Sequence, residues 1–402
     1  MSFLEKLLEG IVVQWKPLGE FADYEQPTKY LVESKNYNEN FPTPVLTAGK
    51  TFILGYTDEK KGIYKASKNP VIIFDDFTTA NKWVDFDFKA KSSAMKMITS
   101  KNESKALLKY IYYWLNTLPS ELVDGDHKRH WISNYAHKLF PIPCPENPKK
   151  SLEIQQKIVA ILDSFTELTA ELTAELTARK QQYSYYREQL FVFDKKEVQH
   201  LPMADESIGE FQRGKRFVKT DLIIAGVPTI HYGEMYTHYG TWADETISFV
   251  SEKLVEDKRL RTAQKGDVVI VAAGETIEDI GMGTAWLGEK GVVVHDACFS
   301  YKTSLNPKFV AYFTRTKQYH NQIKKHISSG KISAINARGL GKAIIPVPSK
   351  EEQERIVIIL DKFDILTNSI SEGLPKEIEL RKKQYEYYRD LLLTFPKDNL
   401  AE

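Results

Sequence analysis

Hydrophobic positions recur at spacings of three and four residues over two long segments of the chain. The first segment covers residues 152–193 and the second covers residues 351–395. Such spacing places the apolar side chains on one stripe of a helix with 3.6 residues per turn. A long helix with a single apolar stripe needs a partner, so we predict that the two segments pair within the chain. The stripe residues expected at this helix pair or at a subunit interface are Ile158, Leu162, Phe165, Leu168, Leu172, Leu176, Tyr183, Tyr186, Ile356, Leu360, Phe363, Leu366, Tyr385 and Tyr388.

The two segments are copies of one another. Glu153–Leu168 and Glu351–Leu366 are identical at nine of sixteen positions, and Arg179–Phe193 and Arg381–Phe395 are identical at nine of fifteen. A pair of prolines precedes each segment. The chain therefore consists of two versions of one unit, each a diverged body followed by a helical tail.

Two details distinguish the tails. The second contains Gly373-Leu-Pro375, and proline lacks the amide donor that a helix interior needs, so we expect the first helix to be unbroken and the second to be interrupted there. The first contains Thr169-Ala-Glu-Leu172 followed by a second copy of the same four residues. This repeat is either plain helix filler or a device that sets the distance between the bodies, since four residues add about 6 Å of helix.

Each body has a mixed α/β pattern. Pro70–Phe77 and Gly266–Ala273 are predicted as buried strands, and Leu107–Leu115 and Pro307–Arg315 are predicted as helices. The order of these elements is the same in both bodies, which indicates an α+β chain made of two duplicated units. The predicted boundaries are 1–148 for the first body, 149–197 for the first tail, 198–348 for the second body and 349–402 for the second tail.

Composition narrows the class of protein. A chain of 402 residues favours two or more domains, and no uncharged apolar run approaches the roughly 18 residues that would span a bilayer. The first residues lack the basic start of a signal peptide, and two cysteines cannot build a disulfide framework. We therefore expect a reduced, cytoplasmic protein with no membrane partner.

Known catalytic patterns do not fit the sequence. Ala48-Gly-Lys-Thr51 resembles the end of a phosphate-binding loop, but proline stands where the first glycine is needed and a strand pattern follows. His295 and Cys298 are close in sequence, although the strand-like surroundings favour a small buried cysteine over a nucleophile. We predict no catalytic residue, no metal site and no bound cofactor.

The remaining polar features suit contact with nucleic acid, although a solvated surface is the alternative for each one. The net charge is only +1, yet Tyr301–Pro348 holds nine Lys or Arg and no Asp or Glu. Arg and Asn read base edges, whereas Lys mainly binds phosphate. The candidate DNA-binding residues are Lys50, Thr78, Thr79, Asn81, Lys82, Lys91, Lys128, Arg129, Lys215, Arg216, Lys324, Lys325, Lys331, Asn336 and Arg338.

The tails resemble the conserved regions of type I restriction–modification specificity (S) subunits. The resemblance rests on the two runs after the proline pairs, EIQQKIVAILDSF and EEQERIVIILDKF, and on RKQQYSYYREQL and RKKQYEYYRDLLLTF. The Thr-Ala-Glu-Leu repeat is similar to that of the type IC branch. The first body also looks like a recognition domain of that branch through TAGKTFILGYT, PVIIFDDFTTANKW and GDHKRHWISNY.

The resemblance implies two target-recognition domains separated by two long helices in an antiparallel coiled coil, with an internal pseudo-twofold repeat. Each domain would read one half of a bipartite asymmetric site in double-stranded DNA. The helices would set the spacer and dock two methyltransferase subunits, with motor–nuclease subunits further out. S-adenosylmethionine, ATP and Mg would belong to these partners. A scaffolding adaptor that reads no DNA is the alternative, and an enzyme acting alone is the third hypothesis.

Overall fold

The computed structural model describes residues 10–49, 51–119 and 130–395. They divide into two compact units, one over Met1–Leu172 with Ile378–Glu402 and the other over Thr173–Glu377. Each unit combines one body with parts of both tails. The division between Leu172 and Thr173 falls between the two copies of the Thr-Ala-Glu-Leu repeat. The body and tail boundaries predicted from the sequence describe a different partition and stay a prediction.

The first body is built mainly from short strands. Its strands are β1 Val13–Pro17, β2 Ala22–Glu25, β3 Thr43–Leu46, β4 Ile53–Thr57, β5 Val71–Asp75, β6 Asn81–Val84, β7 Lys89–Ala90, β8 Met95–Ser100 and β9 Leu139–Pro143. Its helices are α1 Leu108–Leu115 and α2 His130–Ser133. The sheets have the orders β2-β8-β5-β6, β4-β3-β7 and β1-β9. Strand β5 is buried at all five positions, because its apolar, largely β-branched residues suit a central strand with both faces covered.

The first tail is one continuous helix, α3, over Pro148–Gln189. Its 42 residues correspond to about 63 Å of helix. The prediction of an unbroken first helix is therefore confirmed.

The second body repeats the plan of the first with more strands. Its strands are β10 Gln199–Pro202, β11 Gly209–Arg213, β12 Val227–Ile230, β13 Trp242–Ala243, β14 Ser248–Val250, β15 Thr262–Ala263, β16 Val268–Val271, β17 Ala273–Gly274, β18 Gly283–Trp286, β19 Val292–Val294, β20 Cys298–Thr303, β21 Ser333–Ala334 and β22 Ile344–Val347. Its helices are α4 Glu234–Thr237, α5 Glu252–Lys258, α6 Pro307–Phe313, α7 Lys317–Ile323 and α8 Ala337–Gly341. The sheets have the orders β11-β20-β16-β18-β13, β14-β12-β19-β15, β10-β22 and β17-β21.

Strand pairing shows that the bodies are duplicates. The sequence β2-β8-β5-β6 corresponds to β11-β20-β16-β18, all antiparallel, with the predicted buried strands β5 and β16 in equivalent positions. Each body also has one parallel pair in its second sheet, β3 with β7 and β12 with β19. A proline-bearing strand, β9 or β22, precedes each tail in an antiparallel pair. The predicted duplication of a whole α/β unit is confirmed.

The second tail is divided into two helices, α9 over Lys350–Asn368 and α10 over Gly373–Leu393. Gly373 has a φ of 71°, a left-handed conformation that glycine adopts without steric cost. Pro375 then lies in the first turn of α10, where the missing amide hydrogen is tolerated. The predicted interruption is confirmed, and the restart occurs at Gly373.

Aromatic rings join the tails within each unit. In the first unit, the rings of Phe165 and Tyr388 stack with centroids 5.3 Å apart. In the second unit, the rings of Tyr186 and Phe363 stack with centroids 5.6 Å apart. The two pairs are related by the internal repeat. Phe165, in the first half of α3, meets the end of the second tail, and Tyr186, near the end of α3, meets the first half of the second tail, as an antiparallel helix pair requires.

The predicted stripe residues differ in burial. The fully buried ones are Ile158, Leu162, Tyr183, Ile356 and Leu360. The half-buried ones are Phe165, Leu168, Leu172, Leu176, Phe363, Leu366, Tyr385 and Tyr388. Tyr186 is 40% exposed. The burial is greatest where a body also covers the tail, because a lone helix pair leaves part of each side chain open to water. Within the described residues, no helix has the length and apolar character needed to cross a membrane.

Candidate nucleic-acid interface

The loop after β5 carries the first group of candidate residues. The Asp75 carboxylate accepts hydrogen bonds from the backbone amides of Phe77, at 2.9 Å, and Thr78, at 3.2 Å, which turns the chain sharply. Thr78 is exposed at the tip of this turn. Thr79 has a φ of 61° and is only 6% exposed. The Thr79 side chain therefore has no open surface from which to contact DNA, and we remove it from the candidate interface.

Strand β6 carries two further candidates, Asn81 and Lys82, and a third, Lys91, comes directly after β7. Lys82 is exposed, whereas Asn81 is half-buried and its Oδ1 is buried with no hydrogen-bond partner. Lys91 is half-buried, because its Nζ donates a hydrogen bond of 3.1 Å to the hydroxyl of Tyr37 and lies over that ring. Lys82 is thus the most open cation of this group, and Asn81 is a polar group that still needs a partner.

A buried ion pair lies beneath this loop, and the sequence did not reveal it. Lys96 Nζ is 3.4 Å from Asp76 Oδ2, and both side chains are almost fully buried. Asp76 also accepts hydrogen bonds from the backbone amides of His130, through its carbonyl, and Trp131, through Oδ1. These hydrogen bonds attach the start of α2 to Asp76, which precedes Thr78 by two residues in the sequence. The only indication in the sequence was a double Asp after an apolar strand.

Three candidates have no structural account. Lys50, Lys128 and Arg129 lie outside the described residues. The chain becomes described again at His130, directly after Arg129.

In the second body the candidates from the acid-free stretch follow α7. Lys324 and Lys325 are exposed in a short 3-10 turn, and Lys331 is exposed near the tip of a turn closed by the Ser328–Ala334 bridge. Arg338 is also exposed and lines a cleft with Glu206 and Glu210. The stretch is free of acids in sequence, but Glu206 and Glu210 line the same cleft as Arg338.

Asn336 is exposed, but its side chain has a structural role as a helix cap. Its side-chain Oδ1 accepts a hydrogen bond of 2.8 Å from the backbone amide of Gly339 and so caps the start of α8. A substitution of Asn336 would therefore change the loop as well as any base contact.

Lys215 and Arg216 are attached to a different part of the second body. The backbone amide of Lys215 donates to the carbonyl of Val294 in β19, and the Lys215 Nζ donates to the carbonyl of Lys258 at 3.3 Å. Arg216 is exposed. The Lys324–Arg338 group is anchored instead to β17, through the pairing of β17 with β21. The second body thus presents cations on two separately anchored loops.

A cluster of aromatic rings and histidines supports the Lys215 loop. The rings of His231 and His295 have centroids 4.8 Å apart, and both contact the ring of Phe217. His295 Nδ1 accepts from the amide of Ala297 at 3.1 Å, which leaves the proton on Nε2, 3.0 Å from the carbonyl of Phe217. Burial lowers the pKa of both histidines, so the cluster is neutral near pH 7.

The cysteine near this cluster is not an activated thiol. Cys298 is fully buried, and burial raises the pKa of its thiol to about 12. A nucleophilic cysteine needs the opposite shift. Among the described residues, no group of His, Cys, Asp and Glu is arranged to hold a metal ion.

The family comparison identifies the class of protein. The family model described as the type I restriction modification DNA specificity domain matches the chain twice, over residues 13–179 and 205–380. The chain belongs to this family. The specificity subunit of the Escherichia coli type I restriction enzyme EcoR124I/EcoR124II is similar at 51% identity, over 99% of this chain and 98% of that subunit.

Solved structures of the type I specificity family share the fold. The S subunit of a type I restriction–modification system from M. genitalium aligns over 98% of this chain and 99% of its own, with a TM-score of 0.55 and 15% identity. A chain from a study of complex assembly and conformational transition of the type I R-M system aligns over 95% and 97%, with a TM-score of 0.57 and 16% identity. The resemblance of the tails to S subunits and the predicted fold class are thereby confirmed.

Proposed function

We propose that this chain is the DNA-reading subunit of a type I restriction–modification complex and that each body reads one half of a bipartite site in double-stranded DNA. The observation that carries the proposal is the repetition itself: each family match covers one body with most of its tail. Two similar but diverged bodies in one chain suit a site with two different halves.

In the first body we assign the reading surface to Thr78, Asn81 and Lys82. In the second body we assign it to Lys324, Lys325, Lys331 and Arg338, with Lys215 and Arg216 as a second point of contact.

We further propose that the tails set the spacer and dock two methyltransferase subunits. Tyr185 is 61% exposed and Tyr387 is 64% exposed, and the two are equivalent at an offset of 202 residues. Large exposed aromatic side chains are typical anchors of protein interfaces. One such tyrosine in each unit supports two equivalent docking positions, one for each methyltransferase.

The chemistry of the complex belongs, in this proposal, to the partners. Methyl transfer would use S-adenosylmethionine on the methyltransferase subunits, and DNA translocation and cleavage would use ATP and Mg on the motor–nuclease subunits. The chain itself would be non-catalytic and cytoplasmic, and would bind none of these cofactors.

The decisive experiment compares the methylated sites of cells that contain this chain and its partner methyltransferase with those of cells that lack the chain. We expect a new motif of two short half-sites around a fixed gap. If the complex assembles with an active methyltransferase and no new motif arises, the chain is an adaptor that reads no DNA. Methylation or cleavage by the isolated chain would instead establish an enzyme.

A further inference from the structure

Equivalent side chains connect each body to its tail: a lysine and a tyrosine of the body and an aspartate of the tail. In the first unit, Lys109 Nζ of α1 is 3.0 Å from Asp163 Oδ1 of α3, and the Tyr113 hydroxyl donates a hydrogen bond to that carboxylate. In the second unit, Lys308 Nζ of α6 is 2.8 Å from an oxygen of Asp361 in α9. The Tyr312 hydroxyl donates to the other oxygen at 2.7 Å. The lysine and tyrosine are four residues apart on one helix face in both bodies.

A tryptophan covers the lysine in each unit. Lys109 Nζ lies 5.0 Å from the ring centre of Trp83, and Lys308 Nζ lies 4.5 Å from that of Trp242. The two tryptophans come from strands that are not equivalent, since β6 pairs with the central strand β5, whereas β13 pairs with β18. The two bodies have diverged around this lysine, yet each body places a tryptophan ring over its own equivalent lysine.

The first of these clusters reaches the reading surface directly. Trp83 belongs to β6, the strand that begins with Asn81 and Lys82, and its ring also contacts that of Tyr112 on α1. A continuous path of contacts therefore runs from the candidate DNA-reading strand through Trp83 and Lys109 to Asp163 on the tail. In the second unit the equivalent contacts join Trp242, Lys308 and Asp361.

These ion pairs differ from ordinary surface pairs. The side chains of Lys109 and Asp163 are 33% and 23% exposed, and those of Lys308 and Asp361 are 19% and 24% exposed. Solvent screens them less than an exposed pair, and each carboxylate also accepts a hydrogen bond from a tyrosine. Such a directional contact adds to the resistance that apolar packing and the buried hydrogen bonds of Gln155 and Gln353 offer to rotation of the body about the tail helix.

We propose that Asp163 and Asp361 are positioning residues that hold each recognition body at one rotation about its tail, and thereby fix the phase of each half-site relative to the spacer. The inference rests on the proposed function and adds a mechanism for spacer selectivity. The carboxylates do not contact DNA in this proposal. In the first unit Asp163 acts through Lys109 and Trp83 on the reading surface. In the second unit Asp361 acts through Lys308 on the orientation of α6 in its body.

The test uses the assembled complex with its methyltransferase and DNA substrates that carry both half-sites around the preferred spacer or a spacer one base pair longer or shorter. We expect Asp163→Asn to reduce the preference for the correct spacer about tenfold, because the neutral amide forms no ion pair with Lys109 and accepts weaker hydrogen bonds, while the half-sites are unchanged. Asp361→Asn should do the same. Glu167→Gln, an exposed carboxylate one turn further along α3, is the matched control and should leave the preference at its wild-type value.

Two milder variants separate positioning from folding. Lys109→Arg keeps the cation and should retain the spacer preference, whereas Lys109→Met should lose it, and both variants should melt close to the wild-type temperature. An equal loss of methylation at all three spacers, or an unchanged preference in Lys109→Met and in both Asp→Asn variants, overturns the inference. If the wild-type complex itself shows no bipartite preference, the proposed function fails instead.

Discussion

Gln155 and Gln353 lie 198 residues apart and make the same hydrogen bond in their two units. Gln155 Oε1 accepts from the backbone amide of Leu107 at 3.0 Å, and Gln353 Oε1 accepts from that of Asn306 at 2.8 Å. Each accepted amide belongs to the residue directly before the body helix, α1 or α6. Both glutamines are almost fully buried. The tail thus completes the hydrogen bonding of the body helix in each unit.

Replacing either glutamine should destabilise its own unit. Gln155→Ala leaves the amide of Leu107 and the carbonyl of Lys105 without their partner, which should lower the free energy of unfolding by about 1–3 kcal/mol. Chemical denaturation of the full-length chain measures this loss. Gln181→Ala, on the exposed side of the same helix, is the control and should change the free energy little. Equal effects of the two variants would contradict the role of the buried hydrogen bonds.

Lengthening the first tail should lengthen the spacer. One further Thr-Ala-Glu-Leu copy after Leu176 adds about 6 Å of helix, so the preferred gap should grow by about one or two base pairs with both half-sites unchanged. The methylated motif of the variant measures the gap. Insertion of four alanines at the same place is the control, and it should give the same gap because helix length, not sequence, is the cause. A fixed gap in both variants would show that the repeat is plain helix filler.

The exposed cations of the second body should contribute to DNA affinity through phosphate contacts. Lys331→Ala should weaken binding and reduce the slope of log affinity against log salt concentration by about one. Arg338→Ala should weaken binding and relax one half-site only. Lys265→Ala is the control, because Lys265 is already paired with Glu289. If affinity and salt slope stay at the wild-type values in both test variants, this patch is solvated surface.

The neutral histidine cluster should make the second unit sensitive to acid. Burial is the largest influence and lowers the pKa of His231 and His295 in the folded chain, while the neighbouring carboxylates Glu234 and Asp296 partly oppose it. The unfolded chain therefore binds more protons as the pH falls through the ordinary histidine range near 6.5, so the stability contributed by the cluster is complete above that range and is lost below it.

Denaturation of the full-length chain at about pH 7.5 and about pH 5.5 measures this dependence. His295→Gln should weaken the pH dependence, while the control His238→Gln, at an exposed histidine of the same body, should leave it unchanged. A chain that is equally stable at both pH values would contradict the predicted neutrality of the cluster.

The duplication and the helical tails could be predicted from the sequence, because both depend on local information. A period of 3.6 residues places Ile158 and Leu162 on one face whatever surrounds them, and the interruption before Pro375 follows from a missing amide hydrogen. The buried strands β5 and β16 were evident for a similar reason, since runs of apolar β-branched residues suit a covered central strand.

Only the tertiary structure decided which polar residues belong together. Lys96 meets Asp76 and Lys308 meets Asp361 across intervals of 20 and 53 residues, and no local pattern encodes such pairs. Thr79 was a candidate contact in the sequence, yet it lies buried in a left-handed turn. Arg338 belongs to a stretch without acidic residues, yet in the fold it lines a cleft together with Glu206 and Glu210. Periodicity determines which face of an element is apolar. The partners of a charge depend on how distant elements pack, because burial and electrostatic interaction act through space and not along the chain.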